Sequence, residues 1–531
     1  MNGYKATPLR RLIGLAAAFC TAFTMSVTAF ADEPYESYNY DNWDDAIPSQ
    51  TGYTVDRVVS GLDMGLKELS NPDSPVFISE KESSSLNEAR DIYNYNDKEL
   101  WIADTTNNRV LCLDSNYHIK GCYKEAGGKS LKEPMGLFVT DSPTTGKQTV
   151  YIADSANERV VRATVESPTE LKLEKEYTRP TEALYTATTY NPSKVVVDYA
   201  ENVYVVVKSV NTGSVQFRAD GTFMGFYGAN RVNVTAKVIA QKLWRKIASQ
   251  EQIEGMQRSV PVEYANFDMD NEGFIYTVTE IMTDTDAVKK INPAGYNIWE
   301  AISDERFTFG DHTENVSNLA TKTTIATKLT DIAVDDNGLI NVLDFDTGRV
   351  FQYDKFCNLI CIFGARNSTG DQRGAFATPN AIETFGDKIV ILEGSKTRND
   401  FTVFKCTAFG NQLHKAFEYY DDGLYTEAVP YWNEVVKRDG CYTYAHIGLG
   451  KADLKNHDYK SAMKRFKIAR SRKNYDKAFE YYRDEWLQQN FTTIAVVIIV
   501  LVVFVFVNKI LKKFGINIFG FMKKKKKKGE N

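Results

Sequence analysis

The sequence predicts an all-β propeller of six four-stranded blades, followed by a small α-helical domain and one C-terminal transmembrane helix. Three observations carry this. A strand–turn–strand unit recurs through residues 83–410. After residue 410 the apolar period changes from that of a strand to that of a helix. Near the C-terminus, Phe491 to Val507 is a run of 17 residues without a charge.

The elements follow in chain order. Lys5, Arg10 and Arg11 precede an apolar run from Leu12 to about Val27, and Ala29-Phe30-Ala31 supplies small residues before a cut. This is the three-part pattern of a secretory signal peptide, here residues 1–31, with an uncleaved anchor as the alternative. Residues 32–82 open with an acidic, aromatic stretch. Asp32 to Gln50 holds six acids together with Tyr35, Tyr38, Tyr40 and Trp43. Such composition reads as solvated linker, or as a clasp on the propeller or a partner, or as a surface that stacks on sugar. Tyr53 to Val59 is the candidate strand for closing the last blade.

In the propeller, Trp101 to Val110, Tyr151 to Val160 and Asn341 to Val350 align without gaps. Each places an Asp five residues before an Arg: Asp104 and Arg109, Asp154 and Arg159, Asp344 and Arg349. Alternating apolar residues flank each pair, which makes a strand, a polar turn and a strand. Because the pair recurs, it is expected to be structural, the carboxylate taking turn amides and the Arg crossing the hairpin mouth. A second hairpin follows: Ser214 to Gly228 matches Val350 to Gly364 position by position. Short inner strands precede each unit at Asp91, Gly136, Lys194, Asn266, Asp331 and Ala381. With Asp104, Asp154, Lys208, Thr279, Asp344 and Glu393 as equivalents, the intervals are 50, 54, 71, 65 and 49 residues. The longest holds an insertion, residues 235–258, with an apolar helical stripe of Val238, Ile239, Leu243, Trp244, Ile247 and Ile253. It reads as a cap on the propeller or as a lid.

In the helical region, Tyr425, Ala428 and Trp432 recur as Tyr459, Ala462 and Phe466, 34 residues on. Gly448 falls where helices pack closely. Phe491 to Val507 covers roughly 25 Å as a helix, extended by Trp486 and Leu487 on one side and Ile510 and Leu511 on the other. Residues 486–510 are therefore the expected span and 511–531 a basic tail, with nine Lys from residue 509 onward. The positive-inside rule puts that tail in the cytoplasm and the body outside.

The words Ile152-Ala-Asp-Ser-Ala-Asn-Glu-Arg-Val160 and Phe217-Arg-Ala-Asp-Gly221 with Phe226-Tyr-Gly228 resemble those of NHL repeats. The resemblance covers about residues 83–410 and implies a six-bladed propeller, a class that includes lactonases, lyases and binding modules. The 34-residue period resembles tetratricopeptide repeats over residues 411–485, which implies either a protein-binding groove or a rigid stalk.

Composition narrows the chemistry. Residues 32–508 carry 52 basic and 68 acidic groups, so the body is at −16 and nucleic acid is not expected as partner. Only His118 and His312 lie in the propeller, too few for a multi-histidine zinc site. No catalytic residue is assigned and no cofactor is expected. The alternative is Ca²⁺ at the channel mouth on Asp91, Asn266 and Asp331, as in a gluconolactonase-like hydrolase, with Lys194 in the same ring opposing a cation. Six cysteines follow the leader: Cys112, Cys122, Cys357, Cys361, Cys406 and Cys441. The main expectation is a single-pass cell-membrane protein with its N-terminal domains extracellular or periplasmic. It would bind a protein, peptide or glycan, as an accessory to a transporter or to envelope assembly.

Overall fold

The computed structural model describes residues 35–228 except 42 and 44, then 263–280, 287–299, 309–311, 316–318, 323–325, 327–367, 372–395 and 398–514. The expected signal peptide, the insertion at 235–258, His312 and the tail beyond Phe514 lie outside the described residues. The chain divides into two compact units, residues 1–414 and 415–531.

The first unit is a six-bladed β-propeller. Blade one is an antiparallel meander of Asp91–Tyr95, Glu99–Asp104, Arg109–Asp114 and Ile119–Tyr123. Blades two, three and five repeat that order from Pro134, Pro192 and Leu329. Blade four shows three strands among the described residues, beginning at Asn266. Blade six is built from Pro379–Phe385, Lys388–Gly394 and Asn399–Cys406, and Tyr53–Val59 pairs antiparallel with the last of these as its fourth strand. The ring is thereby closed by a strand from the other end of the propeller sequence. Radial repetition of this kind leaves few exposed strand edges.

Blade faces pack on one another through alternating side chains. Trp101, Val110 and Cys112 of blade one meet Leu137, Val150 and Ile152 of blade two. The opposite face of blade one, with Ile102, Leu111 and Cys122, meets Val390, Leu392 and Phe401 of blade six. Cys112 and Cys122 therefore cannot face each other across their hairpin: Cys112 lies opposite Gly121 and Cys122 opposite Leu111. All six described cysteines are free thiols.

The acidic aromatic segment is a clasp. Strands Tyr38–Tyr40 and Ala46–Pro48 pair as a hairpin. Tyr38 and Tyr40 both donate to Asp311 Oδ1, and Tyr35 donates to the Tyr53 carbonyl at 2.7 Å. Arg349 lies over the Tyr38 ring at 5.1 Å.

Helix α1 (Ala408–Asp421) contains the boundary between the units. The second unit continues with α2 (Tyr425–Arg438), α3 (Thr443–Lys455), α4 (Tyr459–Ile468) and α5 (Arg472–Lys513). The 34-residue spacing falls on corresponding turns of α2 and α4, and Ala428, Trp432, Ala462 and Phe466 are all buried. Glycine permits the tight approach of α3. A Cβ at Gly448 would lie 2.2 Å from Trp432 Nε1, and one at Gly450 would lie 2.6 Å from the Phe466 ring. A Gly448→Ala chain should accordingly lose about 1–3 kcal/mol in the helical unit through overpacking. Urea unfolding followed by Trp fluorescence would measure it, and a shift in midpoint below a tenth of a molar would refute the packing argument. Helix α5 is 42 residues long, and its apolar stretch is exposed from Val496 to Val507. Among the described residues it is the one helix long and apolar enough to cross a membrane.

Candidate functional site

The inner strands carry an unusual set of buried charges. Asp91 opens the inner strand of blade one, Lys194 lies in that of blade three, and Asp331 in that of blade five. All three are buried. Lys194 Nζ meets Asp91 Oδ1 at 2.7 Å. Blade two puts Gly136 at the equivalent position, where a Cβ would lie 2.5 Å from the Ser193 carbonyl oxygen and 2.7 Å from Lys194 Cα. Glycine there allows blade three close enough for Lys194 to reach blade one. Asn266 of blade four donates through Nδ2 to Asp331 Oδ1.

Two residues further along the inner strands lie Asp268 and Glu383. A strand repeats its facing every second residue, so they form a second tier. The carboxylates of both tiers bond to the next blade. Asp91 Oδ2 accepts the Leu137 amide at 2.6 Å, Asp268 Oδ2 that of Val334 at 2.8 Å, and Asp331 Oδ2 that of Ile382 at 2.7 Å. Glu383 Oε2 accepts from Asn94 N at 3.3 Å and joins blade six to blade one. The first role of this belt is thus to tie neighbouring blades together where their inner strands converge.

Burial also perturbs these groups. It pushes the Asp331 carboxyl up to about 7, Lys194 pulling back and Asp91 adding to the rise. Burial likewise holds Asp268 at about 6 against the Val334 amide and Lys194. Glu383 is raised well above the ordinary range, by burial first and then by Asp268. Lys194 would be lowered by burial, but Asp91 and then Asp331 outweigh that and raise it, so it stays charged.

A carboxyl with a raised folded-state pKa binds protons more tightly when folded than when unfolded. Its contribution is fully present below the unfolded value and is lost as pH rises through the folded one. For Asp331 the window runs from 3.8 to about 7. Relative to the parent, Asp331→Asn should therefore gain stability by a few kcal/mol on going from pH 4 to pH 8. Paired melts at the two pH values would show it. A difference that does not change with pH would rule out Asp331 as the titrating group.

Of the proposed Ca²⁺ donors, the structure brings Asn266 and Asp331 into contact and pairs Asp91 with Lys194. Asn266 Oδ1 accepts the Phe267 amide at 2.8 Å, so its oxygen is already engaged. Asn266 is bonded to Asp331 and Asp91 to Lys194, and each of the three also takes a backbone amide, which is a poor fit to a cation. Among the described residues no group of three or more His, Cys, Asp or Glu side chains is arranged to hold a metal. Asp268 and Glu383 were missed by the sequence reading, which stopped at the first inward residue of each strand. The strand period applied to Asn266 and Ala381 would have found them.

The Asp/Arg hairpins divide. Arg109 Nε meets Asp104 Oδ2 at 2.7 Å, and Arg159 Nε meets Asp154 Oδ2 at 2.7 Å, all four residues buried. Arg349 is a correction: it donates to Asp311 Oδ2 at 2.8 Å instead of bridging to Asp344. The clasp explains the difference, because Asp311 and Tyr38 offer Arg349 a carboxylate and an aromatic face together. Asp344 is satisfied by Thr347 Oγ1 at 2.8 Å and Lys328 N at 3.0 Å. The carboxylate has the more general role. Asp104 accepts the amide of Asn87, Asp154 that of Lys132, Asp344 that of Lys328, and Glu393 those of Ala377 and Thr378. In four blades it therefore holds the chain entering the inner strand.

No protein-family model and no curated protein matches the chain. Among solved structures, it is similar to a protein of unknown function from Bacteroides thetaiotaomicron, at 13% identity and TM-score 0.41, covering 68% of this chain and 78% of that one. It is also similar to a streptogramin B lyase, at 9% identity and TM-score 0.36, covering 60% of this chain and 94% of the lyase. A third is the PQQ-bound aldose sugar dehydrogenase of Streptomyces coelicolor, at 11% identity and TM-score 0.37, covering 68% and 99%. Likenesses this distant carry no argument about activity.

Proposed function

We propose that this chain is a membrane-anchored extracytoplasmic binding or scaffold protein. It presents an NHL-type propeller and tetratricopeptide-like helices to a protein, peptide or glycan, as an accessory to a transporter or to envelope assembly. The carrying observation is α5. The same uninterrupted helix buries Ala478 in the helical unit and continues as exposed apolar surface to Val507, with Lys509, Lys512 and Lys513 following. The buried Asp/Arg hairpins support the NHL reading. The corresponding turns of α2 and α4 support the tetratricopeptide reading. The channel carboxylates, engaged with the blades, favour binding over hydrolysis.

Topology is testable with Cys441, which is exposed. In intact cells a membrane-impermeant maleimide should label Cys441. In a Gly529→Cys chain it should reach the new thiol only after permeabilisation. The reverse pattern would overturn the orientation. Purified protein should melt at the same temperature in EDTA and in millimolar Ca²⁺. A rise of several degrees with Ca²⁺ would restore the metal-dependent hydrolase with Asp91, Asn266 and Asp331 as ligands.

A further inference from the structure

Beyond its first tier the channel has two unlike sides. Two residues along the inner strands, blades one to three place Tyr93, Phe138 and Val196, and blades four to six place Asp268, Ala333 and Glu383. Tyr93 rests against Phe138 with ring centroids 5.1 Å apart, and Val196 and Ala333 are buried. One half of this tier is therefore aromatic and aliphatic. The other carries two carboxylates, with only a methyl group on the strand between them.

The acidic half has no counter-charge of its own. The ammonium of Lys194 is committed to Asp91 at 2.7 Å. Among the described residues no cation pairs with Asp268 or Glu383. Asp268 accepts Met269 N and Val334 N, both at 2.8 Å. Glu383 accepts Thr384 N at 2.7 Å, Thr384 Oγ1 at 3.4 Å and Asn94 N at 3.3 Å. Each carboxylate keeps at least one unused lone pair. Tyr93 Oη likewise has no hydrogen-bond partner among the described residues. Burial, then Asp268 and Glu383, hold its hydroxyl well above the ordinary range, which sets it beside the two acids. Tyr93 and Asp268 also keep accessible surface, although burial is the first influence on both. Groups that lie deep and stay accessible line a space instead of packed interior.

We propose that the second tier of the channel is a socket for a small alkylammonium ion. Its ammonium donates to Asp268, Glu383 and Tyr93 Oη, and its carbon chain lies along the Tyr93 and Phe138 side. The carboxylates supply counter-charge, and an aromatic ring attracts a cation to its face. A metal ion instead demands a shell of oxygens on all sides, which the aromatic half denies it. Entry is from the end where the inner strands finish. Just past them, with the same facing, come Asp198, Asp270 and Asp335, and among the described residues Lys290 offsets only Asp270, at 3.1 Å. An acidic mouth concentrates cations. In the first tier beyond, Lys194 repels the ion and sets how deep it goes.

The socket requires only the propeller, so it stands or falls apart from the membrane topology and from the protein, peptide or glycan partner. The full chain in detergent is titrated calorimetrically with n-butylammonium chloride. The uncharged control is n-butanol, and sodium chloride matches ionic strength. At pH 8 the ammonium should bind one to one with a dissociation constant of about 1 mM or tighter, and butanol should not bind. Glu383→Gln should weaken binding about ten-fold or more. Tyr93→Phe, which removes only the unbonded hydroxyl, should weaken it about three-fold. Lowering the pH from 8 to 5 should weaken it about ten-fold or more, because Asp268 and Glu383 must be ionised to bind. Asp268 is held at about 6 and Glu383 is raised further. In the first tier Asp331, at about 7, ionises over the same range, while Lys194 stays charged and paired with Asp91. Should Glu383→Gln melt early, Tyr93→Phe still decides, since that hydroxyl bonds nothing in the parent. The proposal falls if no saturable heat appears up to about 20 mM, if butanol binds as well, or if Tyr93→Phe and low pH both leave the affinity unchanged.

Discussion

A chain lacking residues 32–59 should lose the cooperative melting of the propeller. Tyr53–Val59 is the fourth strand of blade six, paired along Asn399–Cys406 from Tyr53 opposite Cys406 to Val59 opposite Phe401. Its removal takes away a full ladder of backbone hydrogen bonds and leaves those donors and acceptors to water. It also uncovers Phe401, Val403 and Phe404, which are buried in the closed ring. The Tyr35 and Tyr53 contacts that fasten the clasp go with it. A ring of blades opened at one joint has two unprotected faces, so the loss should spread beyond blade six. Calorimetry should find no propeller transition in the truncated chain, and a synthetic peptide of residues 35–59 should restore it. A transition within a few degrees of the parent would show that the ring closes without this strand.

Arg109→Ala should be nearly as severe at a single position. The Arg109 side chain has no solvent exposure. Its guanidinium holds Asp104 at 2.7 Å, the Ser83 carbonyl at 2.9 Å and the Ser85 carbonyl at 3.1 Å. Removing it leaves a buried carboxylate without its counter-charge and two carbonyls without donors. Breaking one partner of such a pair costs about 3–5 kcal/mol, far more than the pair contributes net. Arg349→Ala, at a partly exposed site, should cost less and should chiefly loosen the clasp. The double variant Asp104→Asn with Arg109→Met should recover part of the loss. Denaturant unfolding of the three chains would decide it, and equal costs for Arg109 and Arg349 would contradict the burial argument.

The contrast between these arginines shows what was readable in advance. Asp104 and Arg109 are five residues apart on one hairpin, so spacing and the strand period suffice to pair them. Arg349 has the same spacing from Asp344, yet its partner Asp311 comes from outside the hairpin and is presented beside Tyr38 of the clasp. Pairing across blades is a tertiary property, and one repeat cannot report it. The blade boundaries were legible because each unit repeats turn and strand chemistry, and Tyr53–Val59 because a closed ring requires a further strand. The interlocking of the channel was not. Asp91, Lys194 and Asp331 each stood out, but the reach of Lys194 past Gly136 depends on how closely blade three approaches.

Helix α5 has a mechanical consequence. Between Arg472 and Lys513 there is no glycine or proline, so no residue type that favours a bend interrupts a rod of about 63 Å. Its N-terminal end is gripped in the helical unit at Ala478. In the proposed membrane setting its inner end is immersed in lipid, and a stiff rod held at both ends transmits inclination as well as position. A thinner bilayer that tilts the apolar stretch would lean the whole helical unit toward the membrane plane. A thicker one would stand it upright. The attitude of the helical unit would then be set by lipid thickness.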